Sequence, residues 1–188
     1  IAYQLSLGPR TPGSAGHHQI LLWLVEELEK AGWKVKLQVL EVQGSLVQNV
    51  IASRGQEGEW ILLGAHYDTR IFADQDPDPA KRKQPVPGAN DGASGVAVLL
   101  ELARTLPEEL PKPVKLVFFD AEDNGGIGEY DWIMGSRAYV ESLTQPPDAV
   151  VILDMVGDAD LNIYQERNSD PGLVEEIWSQ AAALGHDQ

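Results

Sequence analysis

The chain has 188 residues, 43% hydrophobic and 23% charged, with 14 basic against 29 acidic side chains and a formal net charge of −15. That length suits one domain, and a chain of this size buries about 70% of its unfolded surface without needing a staple. Phosphate surfaces need clustered Lys and Arg, so the acidic balance excludes nucleic acid and anionic lipid as main partners. The lack of cysteine excludes disulfides, thiolate metal sites and Cys nucleophiles.

In chain order, the turn-rich segment Gly8 to Gly13 leads to Ser14, a candidate cap for a helix. There Ile20, Leu21, Leu24, Val25 and Leu28 recur at helical spacing until Gly32. His17 and His18 at its start read as surface residues, as does His186 in the tail. Trp33, Val35, Leu37 and Val39 alternate with Lys34, Lys36 and Gln38, the pattern of a half-buried strand, and 47–53 reads as its partner. Three short apolar runs, 60–65, 114–119 and 149–153, suit strands buried on both faces. Helical patterns run from Val96 to Leu106, from Ser136 to Leu143 and from Leu173 to Leu184. The long irregular stretch from Thr69 to Gly88 holds Asp74, Asp76, Asp78 and four prolines, and loops of that length are usually functional or mobile.

This alternation predicts an α/β fold. The expectation is three αβα layers around a mixed, mostly parallel central sheet, with the early strands pairing antiparallel. No repeat or inner boundary divides residues 1–188, which read as a single domain whose last helical pattern leads nowhere, as if trimmed at the C-terminal side. No apolar run approaches the ~20 residues of a membrane span.

Each of the three apolar runs ends in acid or histidine. His66 and Asp68 follow the first, Asp120, Glu122 and Asp123 the second, and Asp154 the third. Asp91 lies in the glycine-rich turn Gly88 to Gly95 that opens a helix. In open α/β sheets ligands bind beyond the carboxyl ends of strands, so these groups should face one crevice. Carboxylates gathered in a low-dielectric site either keep protons or share a cation, and one imidazole among them suits Zn²⁺ better than Ca²⁺ or Mg²⁺. Taken singly, each has a structural reading: a hydrogen-bonded core histidine, a loop-closing acid, or Asp91 as a plain helix cap. Coincidence at three separate strand ends favours the metal. Ser94 sits among glycines, but a nucleophile elbow would need glycine where Val96 stands.

In this order and spacing, six segments resemble the zinc-dependent M28 peptidase family, and within it the bacterial glutaminyl cyclase branch. They are 64–68, 76–79, 88–95, 118–123, Gly135-Ser136 and 153–157. The resemblance implies a zinc-exopeptidase-like fold, incomplete at the C-terminal side. It implies that Asp91 and Asp123 bind the main zinc and that Glu122 is the general acid/base. In two-metal peptidases of the family, Asp91 bridges the ions while His66 and Asp154 complete the second site. In single-zinc cyclases, His66 and Asp154 serve a hydrogen-bond network, with Asp154 close to the reacting groups. Asp68 would orient His66 from behind, and Trp132 falls near the aromatic substrate wall of the cyclases. The family's last zinc ligand, a histidine, comes from beyond residue 188, so the metal shell is expected to be incomplete here.

The implied substrate is a peptide or protein N-terminus. The expected reaction is cyclisation of N-terminal glutamine to pyroglutamate with one zinc. The alternative is aminopeptidase hydrolysis of the first peptide bond with two, and a further alternative is a non-catalytic binding domain on the same scaffold. Composition gives no cellular address; the resemblance implies an exported one.

Overall fold

A computed structural model describes residues 1–56 and 58–186; Asp187 and Gln188, the end of the tail, lie outside the described residues. It divides into two compact units, residues 1–157 and residues from 158 onward. The first begins with a short helix, α1 (Ala2–Ser6), too brief to leave a periodic signal. In α2 (Ala15–Lys30) the Ser14 side chain accepts a hydrogen bond from the His17 backbone N–H at 3.1 Å, as its sequence predicts. The stripe of Ile20, Leu24 and Leu28 is fully buried, each worth about 1.5–3 kcal/mol of transfer free energy. β1 (Lys34–Val42) and β2 (Ser45–Arg54) form a hairpin turned by Gln43 and Gly44, with φ of 51° and 79°. Two consecutive positive φ values make a type I′ turn, whose twist matches the strands it joins. β3 (Ile61–His66), α3 (Ala93–Thr105), β4 (Val114–Phe119), α4 (Met134–Glu141) and β5 (Ala149–Ile152) complete the unit.

The strands lie in the order β1-β2-β4-β3-β5. The expectation of a mostly parallel sheet is overturned. β2 runs antiparallel to β1 over nine residue pairs and to β4 over five, whereas parallel pairing joins β3 to β4 over six and to β5 over four. The cause is the hairpin. Its return strand inserts beside β4, carrying reversed direction into the middle of the sheet, and hydrophobic period reports which face a residue takes but not which way the strand runs.

β4 shows the three layers most directly. Leu116 and Phe118 join the cluster that α2 and α3 cover, with Ile20, Leu24 and Leu99, while Val117 and Phe119 point to the opposite face beside Tyr139 of α4. The Trp33 indole donates to the Ala103 carbonyl at 2.8 Å, pinning the entry to β1 against the end of α3. β5 departs from the expectation of burial on both faces: Val150 is 46% and Ile152 51% exposed, so the face on which these alternate residues lie is open among the described residues.

The second unit contains α5 (Pro171–Ala183). Asp170 caps it, accepting from the Leu173 backbone N–H at 2.9 Å, and Pro171 occupies its first turn. Among the described residues no helix is long and apolar enough to cross a membrane.

Candidate metal centre

The parallel half of the sheet positions the chemistry. β3 lies between β4 and β5 and runs with both, so three carboxyl ends open onto one rim. His66 is the last residue of β3 and is 2% exposed. β4 hands directly to Asp120, Ala121, Glu122 and Asp123. Beyond β5, Leu153 keeps the ladder by donating to the Gly64 carbonyl at 2.8 Å, and Asp154 comes next.

His66, Asp91 and Asp154 come together: one ligating atom from each lies within 4.8 Å of the others. His66 Nε2 is 2.8 Å from Asp91 Oδ1 and 3.5 Å from Asp154 Oδ1. Asp91 is not a helix cap. Gly92 holds that position in α3 without a side-chain bond, and the Asp91 carboxylate turns to the imidazole instead. Burial by itself would lower the His66 pKa, but hydrogen bonds to Asp154, Asp68 and Asp91 outweigh it and hold the ring well above its ordinary value. Asp154 moves the opposite way, lowered first by its hydrogen bond to His66.

Asp68 is fully buried. Its Oδ1 is 3.3 Å from His66 Nδ1, and it also knots the turn after β4. The same Oδ1 accepts from the Glu122 N–H at 3.0 Å, and Oδ2 accepts from the Asp123 N–H at 3.4 Å and the Asn124 amide at 3.0 Å. Asp123 stands outside the His66–Asp91–Asp154 group, within its electrostatic reach. Burial, then the charges of Asp91 and Asp68, push its carboxyl up to about 7, against the pull of His66 and Arg70. Burial also raises Glu122; His66 opposes it, and the charges of Asp154, Asp68 and Asp91 add to it. Trp132 is 49% exposed and lies against Gly125, with the Arg70 guanidinium 4.9 Å from the ring centroid.

Sequence reasoning missed three supports. His17, read as a surface residue, is 3% exposed, and its Nε2 lies 2.6 Å from Asp120 Oδ1. The signal was present: His17 stands three and four residues before Ile20 and Leu21, on the apolar stripe, and a buried acid after a core strand needs a partner. Arg10 is fully buried and donates to the carbonyls of Tyr67, Pro87 and Gly88, joining the two ends of the long loop. Arg70 grips Asp74 through two nitrogens and donates to the carbonyls of Asp123 and Gly125. A lone arginine in a loop carries no signal of this kind.

The donor set fits a divalent ion of intermediate softness, one imidazole nitrogen with carboxylate oxygens. Gly92 leaves the inner edge of the imidazole free: a Cβ there would collide with the His66 carbonyl oxygen and stand 2.6 Å from Nε2. Burial is the first cause of the raised Glu122 and Asp123 carboxyls, and the neighbouring carboxylates add a negative crowding that a cation relieves.

The profile of peptidase family M28 matches residues 49–188. The chain is 34% identical over 137 residues to the uncharacterized protein YfbL of Escherichia coli K12, covering 72% of this chain and 40% of that one. It spans less than half the length of the curated relatives it matches. Among solved structures it is similar to the Porphyromonas gingivalis glutaminyl cyclase (TM-score 0.91, 38% identity, 98% of this chain, 69% of that one). It is also similar to a Zn-dependent exopeptidase from Parabacteroides distasonis (TM-score 0.88, 34% identity, 98% and 70%). His66, Asp91, Glu122, Asp123 and Asp154 all fall within the matched residues, and the chain belongs to peptidase family M28.

Proposed function

We propose that residues 1–188 belong to one catalytic domain of a zinc-dependent enzyme that acts on peptide or protein N-termini, cyclising N-terminal glutamine to pyroglutamate with loss of ammonia. The observation that carries this is the meeting of His66, Asp91 and Asp154 at the strand ends, in a chain so similar to a bacterial glutaminyl cyclase. In this reading Asp91 and Asp123 hold the zinc, and His66 and Asp154 form the hydrogen-bond network beside the reacting groups. Bound there, the ion supplies Lewis-acid polarisation of the γ-amide carbonyl.

The remaining work falls to this chain's own residues. The substrate α-amine attacks its own γ-amide carbon, the new C–N bond closes the ring, and the old one breaks to release ammonia. Glu122 accepts the proton the amine gives up and returns it to the departing nitrogen. Burial raises its pKa, which makes it a better proton acceptor than an exposed glutamate. Asp68 fixes the Glu122 peptide through its N–H, and Trp132 forms an apolar wall against the substrate. An exported location belongs to the same proposal.

A second reading, aminopeptidase action, is favoured by the closeness of His66, Asp91 and Asp154, which could serve a second ion. Glu122 would then take a proton from the attacking water. Metal content and products separate the two: one zinc with ammonia released from Gln-peptides, or two with free N-terminal residues. For either reading, Glu122→Gln should lower kcat by at least ~10²-fold while zinc content stays nearly unchanged. A variant that keeps most of its rate would remove Glu122 from the chemistry.

A further inference from the structure

Asp154 sits on a strap, Leu153 to Gly157, that leaves β5 and bends through Met155 at a φ of 51°. We infer that Asn90 and Ser94, at the start of α3, are positioning residues that clasp this strap and so hold the Asp154 carboxylate opposite Asp91. Ser94 Oγ accepts from the Val156 N–H at 3.1 Å and donates to the Asn90 carbonyl, while Asn90 Oδ1 accepts from the Gly157 N–H at 2.8 Å.

The fit between strap and helix is close on both sides. A Cβ on Gly95 would collide with the Leu153 carbonyl, and one on Gly157 would stand 2.6 Å from the Ser94 Cβ. The strap is thus fixed at 153, 156 and 157, and the bend between those points aims Asp154 at His66. Asn90 also adjoins Asp91 in the turn that leads into α3, so this turn and the first residues of the helix set both carboxylates and the spacing between them. The clasp also accounts for Ser94. Its hydroxyl is occupied on both sides and the residue is 3% exposed, which makes it a clamp and not a nucleophile.

This inference rests on the proposed role of Asp154, so its test includes a readout that does not. Asn90→Ala and Ser94→Ala, made separately in the full chain and again in an Asp154→Asn background, form a double-mutant cycle. Each single variant should lower kcat for a Gln-peptide about tenfold or more, with KM within about twofold. In the Asp154→Asn background neither should cost more than about twofold further, because the clasp acts through that carboxylate. Asn90→Asp, which keeps an acceptor for the Gly157 N–H, should recover most of the rate.

Losses that simply multiply in the Asp154→Asn background would overturn the inference. Independently of activity, amide hydrogen exchange at Val156 and Gly157 should be slow in the native chain and fast at Gly157 in Asn90→Ala. Equal exchange in the two would also overturn it. If Asp154→Asn alone changes neither rate nor zinc affinity, the reading of the site fails, and the exchange data still decide the clasp.

Discussion

Asp120 offers a stability test whose size can be worked out atom by atom. Its Oδ1 lies 2.6 Å from His17 Nε2 and accepts from the Ala121 N–H at 2.8 Å, and its Oδ2 accepts from the Gln48 N–H at 2.8 Å. All three donors meet one fully buried carboxylate. Asp120→Asn keeps the shape but offers one acceptor oxygen and one NH₂. If the NH₂ takes the Oδ2 place, the Gln48 N–H loses its acceptor. If it takes the Oδ1 place, the Ala121 N–H does. One buried backbone donor is stranded either way, at a cost of about 1–3 kcal/mol. For a chain of this length that lowers Tm by roughly 2–4 °C per kcal/mol. Urea unfolding should show the midpoint fall with an unchanged slope, since the exposed surface is the same.

The wild type carries a pH signature as well. Burial, offset in part by His17, raises the Asp120 carboxyl above its usual range, so the folded state holds the proton more readily than the unfolded one. That contribution is complete below the ordinary carboxylate pKa and is lost as pH rises through the folded value; Asp120→Asn should lack this slope. A variant that keeps the wild-type slope of stability with pH would show that the Asp120 carboxyl is not its source.

The metal-facing groups yield two more tests. Gly92→Ala places a Cβ 2.6 Å from His66 Nε2, so the ring must move, and zinc affinity measured by chelator competition should fall about tenfold or more. Zinc at a hundredfold excess over its Kd should stabilise the folded chain by about 2.7 kcal/mol in a thermal melt, and a chelator should abolish the gain; equal melting with and without zinc would argue against a site in this chain.

Much of the site is legible in the sequence because acids and a histidine stand at the ends of recognisable strands. The apolar run 114–119 coincides with β4, and the acidic turn after it, Asp120 to Asp123, lands at the rim. Strand periodicity locates a residue along the chain and on a face, and that sets His66 and Asp154 at strand ends; Asp91, in the glycine-rich turn before α3, is brought to them by the fold. It gives no direction, so the insertion of β2 between β1 and β4 is invisible to it. Nor does it report tertiary hydrogen bonds. The sequence pairs Asp68 with His66 alone, yet three of its bonds go to residues 122–124, more than fifty positions away. His17 shows a different failure, one of weighting. Its polarity outweighs a position on the apolar stripe of α2 that the burial pattern confirms.

The two buried acids and the partly exposed ones solve different electrostatic problems. Asp68 and Asp120 lie at 0% exposure and face N–H groups of the adjoining loops and the two histidine rings, so their charge is spent on holding backbone in place. Asp91 and Asp154 keep side-chain exposures of 36% and 44% and converge on a single imidazole nitrogen. Solvent screens their repulsion while leaving oxygens free to ligate. Asp123 lies between these extremes, with burial first and then the charges of Asp91 and Asp68 pushing its carboxyl up to about 7, so it keeps a proton more readily than an exposed aspartate. A divalent ion among these oxygens would displace that proton, and the two would compete for the same negative charge. Binding should therefore weaken as pH falls through the neutral range, the direction expected when ligands must be deprotonated to coordinate.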